Sequence, residues 1–241
     1  MKKISKGVFA LPEISYSNDV PALLRIRYTT RALISNLIKK GYSQIIDETL
    51  PNDYQNYTDE ELLKSLEDRI NLVVKILVKD LDRLATDKDL EIVFNSIQIW
   101  GGNQARGFYL KNGGFKNNFN IDSYRNGIKC IIDGKIESAI SFFNEMSQID
   151  IAFASKHFSF WSKSAQGLQN EGFRQLPILD NLMFQLTYGK SNPKYRHYIK
   201  YLEDIYITCS ELEISAHALE RQLFNFADTP DGKIWIQDRV M

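Results

Sequence analysis

The stretch Ile151-Ala152-Phe153-Ala154-Ser155-Lys156-His157-Phe158-Ser159-Phe160-Trp161 is followed, after a polar insert, by Gln175-Leu176-Pro177-Ile178-Leu179-Asp180-Asn181. The first run continues a helical pattern of apolar residues. The second is a proline-led apolar step, and its aspartate is placed to cap a helix carrying Leu182, Met183, Leu186 and Tyr188 that closes at Gly189. Helix, short irregular step and capped helix together predict a mainly α-helical protein.

Working outward, the same pattern recurs. Leu23, Ile26, Leu33, Ile34, Leu37 and Ile38 predict a helix between Asp19 and Lys40 that stops at Gly41. Thr58 and Glu61 form a capping-box pattern ahead of a long stripe running from Leu62 to Leu84. Asp89 is the expected cap of a third helix that ends at Trp100 before Gly101-Gly102, and the Gly- and Asn-rich stretch to Asn120 reads as a loop or irregular hairpin. A helix from Ile121 carries Tyr124, Ile128 and Ile131; another, from Ile136 to Met146, has Asp133 as its expected cap. Further on, Pro193 is expected in the first turn of a helix through Cys209. Glu211 to Phe226 reads as another, and Lys233 to Val240 as a short last element. A few short strands are expected only near Val8-Phe9-Ala10.

Composition narrows the class. The chain has 241 residues, enough to bury a substantial core, with 44% hydrophobic and 25% charged residues, which excludes disorder and fibrous repeats. No apolar run approaches the roughly 20 residues of a membrane helix, and the first residues lack a secretory apolar stretch, so a cytoplasmic location and no membrane partner are expected. Cys130 and Cys209 lie far apart without a partner motif, and His157, His197 and His217 show no ligand spacing, so neither a disulfide scaffold nor a metal site is expected. No phosphate-binding loop or dinucleotide fingerprint is present; no cofactor and no nucleotide cofactor are expected.

Net charge is zero, from 30 basic and 30 acidic residues, but the charges are segregated. Asp47 to Asp68 is acidic, with Lys64 as its one cation. Lys156 to Lys200 is basic, with Lys156, Lys163, Arg174, Lys190, Lys194, Arg196 and Lys200 against Glu171 and Asp180. This is either a solvated face or one that meets a polyanion.

Ile149 to Tyr188 resembles the core of the helix-hairpin-helix DNA glycosylase superfamily, in which a helical hairpin is followed by a proline, an apolar step and a catalytic aspartate capping the next helix, matched here by Pro177, Ile178, Leu179 and Asp180. Ile151 to Trp161 with Leu176 to Asn181, and Trp100-Gly101-Gly102-Asn103-Gln104-Ala105-Arg106-Gly107 upstream, resemble a bacterial group similar to 8-oxoguanine glycosylases. The chain is also similar in size to a branch that defends bacteria by excising glucosylated hydroxymethylcytosine from phage DNA. The likeness covers roughly Trp100 to Gly189. Two departures stand out: Gln148-Ile149-Asp150-Ile151-Ala152 has no glycine where classical members turn on Gly-x-Gly, and the step from Pro177 to Asp180 is one residue longer than usual.

The resemblance implies a single glycosylase-like unit over residues 1–241, with approximate helical subdomains at 1–120 and 121–241 and a cleft between them. It implies excision of a modified base from double-stranded DNA by a monomer. A carboxylate serves that chemistry because the anomeric carbon gains oxocarbenium character as the base leaves. Asp180 is therefore either catalytic or a helix cap alone. Lys156 is either a nucleophile forming a Schiff base or a phosphate contact. Trp100, Asn103, Arg106, Phe158, Trp161 and Asn181 are candidates for holding DNA or a flipped base, with core packing the alternative for the aromatic ones and a surface ion pair for Arg106. Phe115 joins them as an aromatic in the loop.

Overall fold

A computed structural model describes residues 10–19, 28–102, 109, 120–146, 149–166 and 175–240. Among these there are twelve α-helices and no strand. Val8 and Phe9 lie outside the described residues, and Ala10 is irregular. The helices are α1 (Tyr28–Lys39), α2 (Ser43–Thr49), α3 (Asp59–Leu77), α4 (Leu81–Leu84), α5 (Asp87–Trp100), α6 (Ile121–Ile132), α7 (Ile136–Glu145), α8 (Ile151–Ala165), α9 (Asn181–Tyr188), α10 (Tyr198–Leu212), α11 (Ala216–Ala227) and α12 (Pro230–Arg239).

Most ends follow from local chemistry. Thr58 and Glu61 close the expected capping box on α3, and Gly41 takes the left-handed backbone, φ +85°, just past α1. Five expected features shift. The stripe from Leu62 to Leu84 is two helices, because Asp80 caps α4 by accepting from the Arg83 N–H. The cap of α5 is Thr86, not Asp89; Asp89 is the partner three residues on and returns a carboxylate oxygen to the Thr86 N–H at 3.0 Å. Asp133 ends α6 instead of starting α7, whose N-cap is Lys135 without a side-chain bond. The helix after Pro193 begins as a 3-10 turn at Tyr195–His197 and runs as α10 to Leu212. Ser215 then caps α11, so Glu211 belongs to the preceding helix.

The chain divides into two compact units. One contains Ile26–Ile149 and Lys156–Arg174. Its α6 and α7 pack closely because Gly127 has no side chain: a Cβ there would stand 2.8 Å from the Phe143 ring. Its core centres on Phe94, Tyr124, Phe143, His157, Phe158 and Trp161, each fully buried. The other takes in residues 10–19, Asp150–Ser155 and 175–240. Here α9 packs on α11 and α12. Every α8 residue from Phe153 to Ser162 is buried, which an amphipathic stripe would not require.

Candidate functional site

Asp180 is the last of six non-helical residues, Gln175 to Asp180. Leu176, Ile178 and Leu179 are buried, so the peptide groups between them need partners away from water, yet no neighbouring strand supplies them among the described residues. Side chains do so instead. The Tyr206, Tyr198 and Tyr201 hydroxyls donate to the carbonyls of Gln175, Pro177 and Ile178 at 3.1, 2.8 and 2.9 Å. Glu220 Oε2 accepts the Ile178 N–H at 2.9 Å, and Ser155 Oγ accepts the Leu179 N–H at 3.0 Å. Pro177 has no N–H to satisfy. Burial above all, then the Glu220 charge, raises the Tyr201 phenol well above its usual range; burial, then Tyr206 and Glu220, does the same for Tyr198. Both therefore remain donors near neutral pH.

This held strap delivers Asp180 to the start of α9. Its Oδ1 accepts the Met183 N–H at 3.0 Å, and the residue is 7% exposed. Oδ2 takes no hydrogen bond from a described residue. One oxygen fixes the carboxylate on the helix, beside the positive end of the α9 dipole. The far end of α9 is equally well held. Gly189 has φ +64°, Arg239 donates to the carbonyls of Leu186 and Thr187 at 2.9 and 3.0 Å, and Trp235 Nε1 donates to Leu186 at 3.3 Å. Asn181, the first residue of α9, turns its Oδ1 onto the Asn192 N–H at 2.8 Å and so anchors the loop after the helix.

The remaining candidates fall differently. Lys156 is 1% exposed on α8, so it does not extend into solvent as a surface phosphate contact would. Phe158 packs edge-on against Phe143, their centroids 4.9 Å apart, and has no exposed face. Trp161 is also fully buried and donates through Nε1 to the Tyr124 hydroxyl at 3.2 Å. Trp100, 3% exposed, stands edge-on to Phe160. Asn103, Arg106 and Phe115 lie outside the described residues.

Sequence reasoning missed two polar systems. The first is the set holding the strap: Ser155, Tyr198, Tyr201, Tyr206 and Glu220. A buried glutamate among Ala218, Leu219 and Leu223 was the available signal. The second surrounds His157. The Tyr124 hydroxyl lies 2.9 Å from its Nδ1, and the Gln98 amide 3.3 Å from its Nε2. The Tyr124 hydroxyl also accepts from Trp161 Nε1, so indole, phenol, imidazole and amide form one buried polar chain. Burial first, then the Lys156 charge, lowers the His157 pKa to about 3.

A surface groove of about 340 Å³ lies along α1, lined by Arg31, Ile34, Ser35, Ile38, Lys39 and Tyr54; none of the candidate residues lines it. No cluster of His, Cys, Asp or Glu among the described residues is arranged to hold a metal ion, and no helix there is long and apolar enough to cross a membrane. No protein-family model, curated protein or solved structure matches this chain significantly.

Proposed function

We propose that this chain is a DNA glycosylase in which Asp180 drives release of a modified base. The observation that carries the reading is the division of labour within its carboxylate: Oδ1 is bound to the α9 backbone while Oδ2 takes no bond from a described residue. In the proposed reaction the bond between C1′ and the base nitrogen breaks and its electron pair leaves with the base. Asp180 stabilises the positive charge developing on the sugar and orients the water whose oxygen bonds to C1′. The base takes up a proton, and an abasic site remains.

Water is preferred to Lys156 as nucleophile because a Schiff base needs an amine that reaches the sugar, and Lys156 is buried within α8. The helix-hairpin-helix arrangement and a cleft belong to this proposal, as does its preferred substrate, glucosylated hydroxymethylcytosine in phage DNA, with 8-oxoguanine the alternative base. The burial of Phe158 and Trp161 favours a second reading, a helical module that binds DNA without releasing a base.

The test is a panel of duplexes carrying defined lesions, together with glucosylated phage DNA, followed by alkali to cut at abasic sites. Strand cleavage by the wild type that falls about 10³-fold in Asp180→Asn supports the catalytic reading. Release at the wild-type rate by that variant overturns the role of Asp180. No cleavage on any duplex turns the reading to the binding module.

A further inference from the structure

The loop joining α9 to α10 gathers three exposed cations. Lys190, Lys194 and Arg196 are exposed, and among the described residues none pairs with a carboxylate. Lys200, by contrast, is committed to Asp204 at 2.5 Å. The loop is also well fixed: Asn181 holds the Asn192 backbone at 2.8 Å, Gln185 donates to Ser191 Oγ at 3.1 Å, and the His197 ring stacks on Phe184 at 5.1 Å.

Two residues of the loop meet at His197. Its Nδ1 accepts the Lys194 N–H at 2.9 Å, and the Arg196 Nε lies 3.3 Å from its Nε2. The Arg196 side chain is thereby drawn to the same ring that holds the Lys194 backbone. Burial, then Arg196, Lys190 and Lys194, lowers the pKa of this imidazole; no acidic residue is among the causes. A held loop whose exposed cations pair with no carboxylate among the described residues presents positive charge to a negative partner from outside.

We propose that Lys190, Lys194 and Arg196 form a surface that grips the sugar-phosphate backbone of duplex DNA next to Asp180. The choice of DNA as the polyanion rests on the glycosylase reading. The surface itself rests on the loop, which Asn181 ties to the residue adjoining the candidate carboxylate. It also supplies a phosphate grip in a chain whose hairpin turn has no glycine to bring its backbone close to one. A backbone grip is blind to sequence, so it orients the duplex and leaves recognition of the damaged base to other groups.

The experiment is fluorescence anisotropy of the full chain with an unmodified, labelled duplex of about 20 base pairs, titrated between about 50 and 200 mM NaCl. The triple variant Lys190→Gln, Lys194→Gln, Arg196→Gln is compared with a charge-matched control, Lys39→Gln, Lys75→Gln, Lys79→Gln, and circular dichroism melts verify that both fold. Each cation that meets a phosphate contributes about 0.9 to the slope of log K against log salt, so the loop variant should flatten that slope by about 2 to 3 and bind at least about tenfold more weakly at low salt. The control should stay within about twofold of wild type. An unchanged slope in the loop variant, an equal loss in the control, or no wild-type binding at low salt overturns the inference. A chain that binds with this loop-dependent slope yet releases no base from the lesion panel keeps the surface and loses the glycosylase reading; one that releases base with an unaltered slope does the reverse.

Discussion

Around His157 the chain buries polar side chains within helices whose own backbones are satisfied, whereas around Asp180 it buries polar backbone and answers it with side chains. In the first region Trp161, Tyr124, His157 and Gln98 bond to one another among Phe94, Phe143 and Phe158. In the second, three tyrosines, a serine and a glutamate hold a non-helical segment that has no strand partner among the described residues. A helix positions a residue by its own periodic bonds; an irregular segment is positioned only as well as its partners are. The second region therefore spends five side chains on holding the approach to one carboxylate.

The comparison can be broken first at its packing. Trp161→Ala removes a fully buried indole and should cost about 3 to 5 kcal/mol in chemical denaturation. A loss under about 1 kcal/mol would mean that this core is not the main support of its unit. In the other region, Glu220→Ala leaves the Ile178 N–H buried without an acceptor and should cost about 2 to 3 kcal/mol, while Glu220→Gln, which keeps an amide oxygen in place, should recover most of it. On the proposed function, base release should fall in Glu220→Ala even at temperatures where the variant is folded.

A third prediction concerns acid. The folded pKa of His157 is lowered to about 3, below its unfolded value, so unfolding takes up a proton at intermediate pH. Its contribution is fully present above roughly pH 6.5 and is lost as pH falls toward 3. Between pH 7 and 5 this amounts to about 2 kcal/mol, measured as the stability change that wild type shows and His157→Gln lacks. Equal pH dependence in the two would remove the neutral, hydrogen-bonded imidazole from the account. Smaller still, Tyr201→Phe should cost about 1 kcal/mol by removing one donor to the strap. Smallest is Asp180→Asn, where the amide oxygen still caps α9 and stability should move by less than about 0.5 kcal/mol. That near-silence in stability makes the same variant a clean probe of base release.

The helices and their punctuation were largely legible. Thr58, Asp180, Gly41 and Gly189 act through neighbours within four residues, and such signals survive in a linear reading. Where two capping residues stand close together, as Thr86 and Asp89 do, local pattern alone chose the wrong one, although Thr-x-x-Asp is itself a capping-box spacing. The short α2 was passed over because seven residues hold too few apolar positions to show a period. Lys156, Phe158 and Trp161 were weighed as site residues because they lie in the run that resembles the glycosylase group. Burial on all sides of α8 depends on what packs around it, and no periodicity within the run reveals that. The strap was illegible for a simpler reason: Tyr198, Tyr201 and Glu220 lie 21 to 42 positions from the peptide groups they serve.

The contacts of Arg239 bear on the order in which the molecule can be made. Besides Leu186 and Thr187, this residue reaches the Ala10 carbonyl, 229 positions back, at 3.0 Å; Asn18 likewise bonds to Glu213 and Ser215. Contacts of such long sequence separation form late, because the loop between their ends must close before they repay its lost entropy. On the ribosome the helix behind Asp180 therefore lacks its final carbonyl partners until residue 239 has emerged, so an interrupted translation product is not expected to present a correctly seated carboxylate.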